Sequence, residues 1–441
     1  MHLIWENVTK NLMLLWSGAY KGLNAGTGHY EFTPEVWEAI GKASADSGST
    51  IPLCFGPRPP NVASEKSSWT ADSRSFWTLF VGPVVLRDRF ADKKYYDHFV
   101  DFVRIIQMCL QFDIPVSDVA KIRTGFIEWV KKYEEYVLYY QHDPSRLSAC
   151  PLTIHALLHI ADSIVIAGPV WASWAFPMER YCGSLQHAFK SRRFPFAAAN
   201  RYVLDCACLS HIRIAYASSI RDQLTLNAPE LGGYHGALYE NCALLPSSHE
   251  RIFGRGILDK IVGALCTRFS LAAPAIVRNA LPHALQEWER IRFLPEGDIV
   301  SAAAYRSHVD SVANTRPDAR NNTFVRYEQI VDLNSRFRNL PSVWAQKPFF
   351  GQLMHIIAVD IPDIPSLNIP STRVVLAAIR SCKVTSSHEI LDIHYYSEYG
   401  PLDLVDLTTI QCIVGRVYDR GQWGIIDRSG SLNRAMYIED E

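Results

Sequence analysis

The sequence predicts an α+β protein, with a large, mainly helical N-terminal region and a small β-rich barrel or sandwich at the C-terminus. Two patterns support this prediction. Apolar residues recur at helical spacing in the first half of the chain, and short β-branched runs dominate after about residue 350. With 441 residues, the chain is long enough for two or three domains. We expect a helical domain at 1–235, a mixed helical and linker region at 236–345, and a β-rich domain at 346–435.

The helical prediction is clearest in the stretch that contains Phe99 and Val103. These residues begin a stripe of apolar side chains at the spacing of a helix that faces a core. A second helix is expected after Pro115, with Ser117 as its N-cap, and it should continue to Tyr140.

The C-terminal prediction depends on short β-branched runs, which suggest strands at 371–384, 390–396 and 409–419. A hairpin turn is expected at Asp419-Arg420-Gly421, because glycine readily adopts the positive φ that such a turn needs. Two turn-rich stretches predict irregular structure: an exposed loop at 48–68 and a linker at 312–323.

Composition places the chain among ordinary globular proteins. Lys and Arg number 44 against 45 Asp and Glu, so no global charge steers it to nucleic acid. No apolar run is long enough for a membrane span, and Glu6 and Lys10 interrupt any signal-peptide pattern. The ten cysteines lack regular spacing and suit reduced thiols. We expect a nuclear or cytoplasmic protein that is not secreted and has no membrane partner.

A segment that begins at Pro151, within the predicted helical region, contains the residues most typical of a functional site. His155 and His159 lie four residues apart, on one face of a helix. Gly168-Pro169 must end that helix, because proline lacks the amide that the next turn needs. An aromatic run then presents Glu179 and Arg180 in apolar surroundings, where a charged pair needs compensation. We expect a functional site there.

This segment resembles a region near the end of CACTA-type (En/Spm-like) transposases, including a domain of unknown function associated with them in plants and fungi. The likeness extends to blocks at 67–77 and 409–430, as in fungal members, and Met178 stands where an aromatic residue is more usual. The matching motif consists of Pro151, His155, Leu157-Leu158-His159, Gly168-Pro169, Phe176-Pro177-Met178-Glu179-Arg180, Leu185, Lys190, Arg192 and Arg193.

The resemblance implies that the helical region is the remnant of a ribonuclease H-like domain with a helical insertion. Glu179 would be the last acid of a two-metal site, which needs several carboxylates. The chain begins at Met1-His2, after the aspartate that precedes such a pair in the family, so we expect an inactive, truncated protein. Asp162 and Asp205 are the nearest other acids, without a ligand spacing. Mg²⁺ or Mn²⁺ would bind only if another chain completed the site.

DNA is the partner that this interpretation implies, together with a full-length transposase or another protein. The residues expected near the DNA backbone are Arg180, Lys190, Arg192, Arg193 and Arg201. The same basic residues also fit a solvated surface loop.

Each candidate feature also has a purely structural interpretation. His155 and His159 fit a hydrogen-bonded pair at a packed face as well as a metal site, since no glutamate lies between them. Glu179 fits an ion pair with an arginine, and Cys206 and Cys208 fit small apolar residues better than zinc ligands. The alternative function is therefore a domesticated protein-interaction scaffold that performs no DNA chemistry.

Overall fold

The computed structural model divides the chain into two compact units. One unit comprises residues 2–169 together with 233–441, and the other comprises residues 170–232. The structure describes residues 2–23, 28–65, 69–135, 138–186, 188–189, 193–216, 239–294, 297–304, 320–335, 337, 339–365 and 369–428.

The N-terminal part of the larger unit is helical. A π-helical segment, His2–Thr9, continues into α1, and a second, Trp77–Val81, joins α3 to α4. Single 3₁₀ turns occur at Ser47–Ser49, Leu53–Phe55, Pro144–Ala149 and Leu157–His159. The α-helices are α1 (Lys10–Trp16), α2 (Pro34–Asp46), α3 (Ala71–Phe76), α4 (Gly82–Val85), α5 (Lys93–Cys109), α6 (Val116–Glu134), α7 (Leu152–Ala156) and α8 (Ile160–Ala167).

Helices α5 and α6 form the centre of this region. His98 and Trp129 stack with ring centroids 4.3 Å apart. Their side chains also exchange backbone hydrogen bonds: His98 Nε2 lies 3.0 Å from the Trp129 carbonyl, and Trp129 Nε1 lies 2.9 Å from the His98 carbonyl. The predicted N-cap is wrong, since Pro115 caps α6 without a side-chain bond. The helix also ends at Glu134 rather than at Tyr140, because the chain turns back there and Tyr139 packs on Tyr133, with ring centroids 4.8 Å apart.

Gly168 ends α8, as the sequence predicts. Its φ is +83°, a left-handed conformation that favours glycine, and α8 stops at Ala167. The smaller unit follows, with a single turn at Val170–Ala172, α9 (Phe176–Gln186) and α10 (Pro195–Ala215).

The C-terminal part of the larger unit is one curled antiparallel sheet of ten strands, in the order β1-β2-β5-β6-β7-β10-β9. Strand β3 pairs with β2, and β4 pairs with both β5 and β8. Helices α11 (Arg255–Arg268) and α12 (Pro274–Ala280) lie between β1 and β2 in the chain. The strands are β1 (Cys242–Arg251), β2 (Leu285–Phe293), β3 (Ile299–Ser301), β4 (Phe324–Asp332), β5 (Trp344–Ile361), β6 (Thr372–Ser387), β7 (Ile393–Asp406), β8 (Ile410–Ile413), β9 (Gly415–Asp419) and β10 (Gln422–Ile426).

Two apolar clusters stabilise the sheet. One packs α11 and α12 against β5 and β6, through buried residues such as Ile261, Leu265 and Ile357. The other surrounds Phe324 and Tyr396, where the buried Arg416 guanidinium lies 3.3 Å from the Phe324 ring centroid. Burial of such apolar side chains is the dominant favourable term in folding.

The predicted fold class is wrong. The β-structure is a half-barrel that begins at Cys242, not a small C-terminal domain. The described residues before Cys242 contain helices and no strand, so they do not form a ribonuclease H-like remnant with its own sheet. Strands β1, β2 and β4 escaped prediction because charged residues interrupt them, as in Leu285–Phe293 (LQEWERIRF).

The segment 48–68 is not simply an exposed loop. Ile51, Phe55 and Val62 are buried, and the Thr50 side chain donates to the Arg416 carbonyl at 2.5 Å. These apolar residues anchor the Pro-rich chain between the helical region and the sheet. The predicted linker at 312–323 lies largely outside the described residues.

The predicted turn between the last two strands is present. Asp419 pairs with Gln422, and Gly421 has a φ of +83°. Arg420 in the same turn is also left-handed, with a φ of +45°. This hairpin meets the helical region, where Gly424 lies against Val84.

Candidate functional site

Glu179 and Arg180 lie in the first turn and a half of α9. The sequence predicts apolar surroundings for this pair, but no residue of α9 is buried. Met178, which precedes the pair, is 64% exposed. The apolar residues of the motif therefore enclose neither a cleft nor a buried ion pair around Glu179.

The basic residues of the motif lie near or on α10. Arg193 stacks on Phe194, with the guanidinium 5.3 Å from the ring centroid. Arg201 lies 4.0 Å from Asp205, one helical turn along an exposed face. Lys190 and Arg192 lie outside the described residues. This arrangement presents cations and aromatic rings together at the surface.

His155 and His159 belong to the larger unit and contact each other. Their Nε2 atoms are 3.2 Å apart, and both side chains are exposed. Asp162, one turn further, pairs with Arg123 at 2.6 Å. Within the described residues, no group of three His, Cys, Asp or Glu side chains could hold a metal ion. That includes Cys206, Cys208 and His211, all exposed on α10.

Apolar side chains occur around the whole circumference of α10, among polar ones, and yet they are not buried. None of its side chains that the structure describes is buried, although a helix apolar around its whole circumference is normally enclosed. The large apolar side chains exposed on α9, on α10 and beside them are Met178, Tyr181, Phe189, Phe194, Phe196, Tyr202, Leu204, Leu209, Ile212, Ile214 and Tyr216. We call α9 and α10, with the described residues 188–189 and 193–194 between them, the 176–215 surface.

The 176–215 surface is also basic. Its described basic side chains are Arg180, Arg193 and Arg201, and its acids are Glu179 and Asp205. In the sequence of 176–215 as a whole, six basic residues stand against these two acids. Because the whole chain has a net charge of −1, this surface differs in sign from the remainder.

Sequence reasoning missed a buried polar cluster on β1, β2 and β5. Glu287 is 3% exposed, and its carboxylate contacts one arginine and two histidine side chains. His355 Nδ1 lies 2.5 Å from one carboxylate oxygen, while Arg251 Nη1 and His249 Nε2 lie 2.9 and 3.1 Å from the other. Burial raises the pKa of Glu287, but hydrogen bonds from His355 and Arg251 outweigh it, and the pKa lies below the ordinary value.

The sequence held only an indirect signal for this cluster. Glu287 and Glu289 alternate with apolar residues in β2, which places both carboxyl groups on one face. Glu289 is also buried, and Ser247 donates to it from the backbone amide and from the hydroxyl. The cluster links three strands, because the carboxylate on β2 contacts His249 and Arg251 on β1 and His355 on β5.

Comparison with known proteins assigns no family, because no family model, curated protein or solved structure matches the chain. Among the described helices, none alone is long and apolar enough to cross a membrane, although the bent pair Leu152–Ala167 and Val170–Gln186 meets that criterion when taken together. Among the features described above, the 176–215 surface offers the clearest basis for a functional proposal.

Proposed function

We propose that this protein is a CACTA-transposase-related interaction scaffold that performs no DNA chemistry of its own. Its 176–215 surface binds a protein partner that presents acidic, amphipathic helices. The observation that carries this proposal is α10, a helix of 21 residues that has apolar side chains around its whole circumference and no buried side chain among those described.

Exposure of α10 is unfavourable for the free chain. Isolated helices are marginally stable in water, and most helical stability in proteins comes from tertiary packing of an apolar face. Phe196 and Ile214 are 81% and 80% exposed at opposite ends of the helix. A partner that covers both would remove a large apolar area from water, which is the main driving force of protein association.

Charge identifies the chemistry of that partner. The excess of basic residues in the sequence of 176–215 favours acidic groups at the rim of the interface. Exposed leucine, isoleucine and phenylalanine favour an apolar centre. An acidic amphipathic helix satisfies both requirements. A full-length transposase is one candidate of this class, and any metal-binding acids beyond Glu179 would have to come from it.

DNA is the second candidate, because the basic residues alternate with aromatic ones. Arg193 beside Phe194 and the nearby Phe189 and Phe196 are the residue types that contact phosphates and stack on bases. Binding of a duplex would, however, leave Leu204, Leu209 and Ile214 in water. We therefore favour the protein partner.

A direct test measures fluorescence anisotropy of labelled ligands titrated with the purified chain. The ligands are an amphipathic peptide with leucine at helical spacing and glutamate elsewhere, its lysine counterpart, and a DNA duplex. We expect the glutamate peptide to bind, and Ile214→Asp to weaken it by about tenfold or more, roughly 1.4 kcal/mol. Val116→Asp is the matched control, since Val116 is 88% exposed on α6.

Three results would contradict the proposal. Equal binding of both peptides would show that charge plays no part. Binding of the duplex alone, with steep salt dependence, would assign the surface to nucleic acid. An Ile214→Asp variant that binds the glutamate peptide as tightly as the unaltered chain would place the contact elsewhere.

A further inference from the structure

A polar cleft lies where the helical region meets the sheet, far in sequence from the 176–215 surface. It has a volume of about 220 Å³ and opens between the residues after α4 and strands β7, β9 and β10. At about 30 Å³ per water, this is room for roughly seven water molecules. The side chains that matter in its wall are Arg87, Asp88, Tyr395, Asp419, Arg420 and Gln422.

Three guanidinium groups meet two carboxylates at this cleft. Asp419, whose side chain is 7% exposed, takes Arg89 Nη2 on one oxygen at 2.5 Å and Arg420 Nε on the other at 3.0 Å. Its charge is therefore compensated. Arg420 also donates from its two terminal nitrogens to the carbonyls of Asp88 and Arg87. These contacts hold the wall of the cleft rigid.

Arg87 is the cation in excess. Among the described residues its ion pair is a long one, 3.4 Å from Nε to Asp88, and the Asp88 side chain is 68% exposed. The guanidinium lies over the Tyr395 ring, 4.3 Å from the centroid. Stacking uses the face of the guanidinium and leaves N–H groups at its edge for a planar or tetrahedral oxyanion.

Tyr395 supplies the second observation. It is 3% exposed, and its buried hydroxyl lies beside the Arg87 side chain, with no other hydrogen-bond partner among the described residues. Burial raises the pKa of Tyr395, partly offset by Arg87, so the hydroxyl keeps its proton and remains a donor near neutral pH.

The backbone of the cleft is strained as well. Asp88 and Arg420 have φ values of +52° and +45°, a left-handed conformation that is uncommon for residues with a side chain. Such strain persists only where surrounding contacts enforce it, and it clusters at ligand sites.

We propose that this cleft binds the oxyanion group of a small ligand, a phosphate or a carboxylate. Arg87 supplies the positive charge and the N–H donors. The Tyr395 ring packs against the face of the Arg87 guanidinium, and the exposed Gln422 lines the cleft. The site belongs wholly to the larger unit and is independent of the partner proposed for the 176–215 surface.

The test is isothermal titration of the full chain with inorganic phosphate and, separately, with acetate, at constant ionic strength set by sodium chloride. We expect saturable binding of at least one anion. Arg87→Gln should weaken it by roughly tenfold to a hundredfold, the effect of losing a charge-assisted hydrogen bond. Arg87→Lys keeps the positive charge but loses the paired N–H donors of the guanidinium. Its affinity for the anion should therefore lie between that of the unaltered chain and that of Arg87→Gln. Arg104→Gln, exposed on α5, is the matched control and should bind normally.

Comparison of the two anions tells which oxyanion the ligand carries. Tighter binding of phosphate indicates a phosphate group, and tighter binding of acetate indicates a carboxylate. Tyr395→Phe provides a second measurement if the arginine variants unfold. It should weaken anion binding severalfold, because the Tyr395 hydroxyl lies beside Arg87. The proposal is overturned if neither anion binds the unaltered chain. It is also overturned if Arg87→Lys and Tyr395→Phe both bind the anion with the affinity of the unaltered chain.

Discussion

Replacing Glu287 by glutamine tests how the sheet is held together. The change preserves shape and removes the charge that His355, Arg251 and His249 share. Breaking a buried ion pair costs about 3–5 kcal/mol. The side chains of Arg251 and His249 are 43% and 54% exposed, so water compensates most of their loss. His355 is only 12% exposed, and its bond to a charged acceptor contributes about 2 kcal/mol.

We therefore expect Glu287→Gln to lower the free energy of unfolding by about 2 kcal/mol at neutral pH. The pKa of Glu287 is lowered in the folded state, so its contribution is present above the unfolded value of about 4.3. It is lost as the pH falls through the folded value. The difference between variant and unaltered chain should therefore shrink below about pH 4.3.

Urea unfolding followed by tryptophan fluorescence, at several pH values, measures both effects. Glu250→Gln is the matched control, because Glu250 is the exposed acid between His249 and Arg251 on β1. A loss of less than about 0.5 kcal/mol at neutral pH would refute the assignment of Glu287 as a structural centre. A loss that stays constant down to low pH would refute the electrostatic explanation.

Two further predictions concern packing and protonation. A Cβ at Gly424 would lie 2.8 and 2.9 Å from the two γ-carbons of Val84, so Gly424→Ala should cost about 1–3 kcal/mol. In urea unfolding, the double variant with Gly424→Ala and Val84→Ala should lose less free energy of unfolding than the two single variants lose together. Strictly additive losses would disprove the contact. Burial lowers the pKa of His98 to about 4. Because the unfolded histidine titrates near 6.5, stability should fall by about 3 kcal/mol as the pH drops from 6.5 to 4. His98→Gln should lack this fall in a pH series of thermal unfolding, and an equal fall in both proteins would assign it to other groups.

The parts of the fold that sequence predicts are those in which one local signal dominates. Gly168 ends α8, and Gly421 makes the last hairpin turn, because each adopts a positive φ that few other residues tolerate. Strand β6 contains three valines among its first thirteen residues, and a predicted strand at 371–384 overlaps it. In these elements, the residue type alone restricts the backbone.

The large sheet was missed because its first strands carry charges for which the sequence shows no partner. Glu287 appears in the sequence as a solvent-exposed acid, yet its partners Arg251 and His355 are 36 and 68 residues away. Only the pairing of β1, β2 and β5 brings them together. The cleft at Arg87 depends on a still longer separation, since its other wall lies more than 300 residues along the chain.

The candidate site illustrates the same limit. The sequence identified Glu179 and Arg180 by their apolar neighbours, but apolar neighbours in sequence do not specify what covers them. In the structure these neighbours are exposed, and the motif forms part of a surface instead of an enclosed centre. The role of Glu179 as a remnant metal ligand remains a prediction that requires acids from another chain.

Hydrogen exchange across α10 is the most direct test of the proposed function. We expect rapid amide exchange at Pro195–Ala215 in the free chain, because no described side chain there is buried. We expect strong protection of the same amides once the acidic amphipathic peptide is added. Protection of α10 in the free chain would contradict the account, because the helix would then already be covered. So would protection by a DNA duplex and not by the peptide.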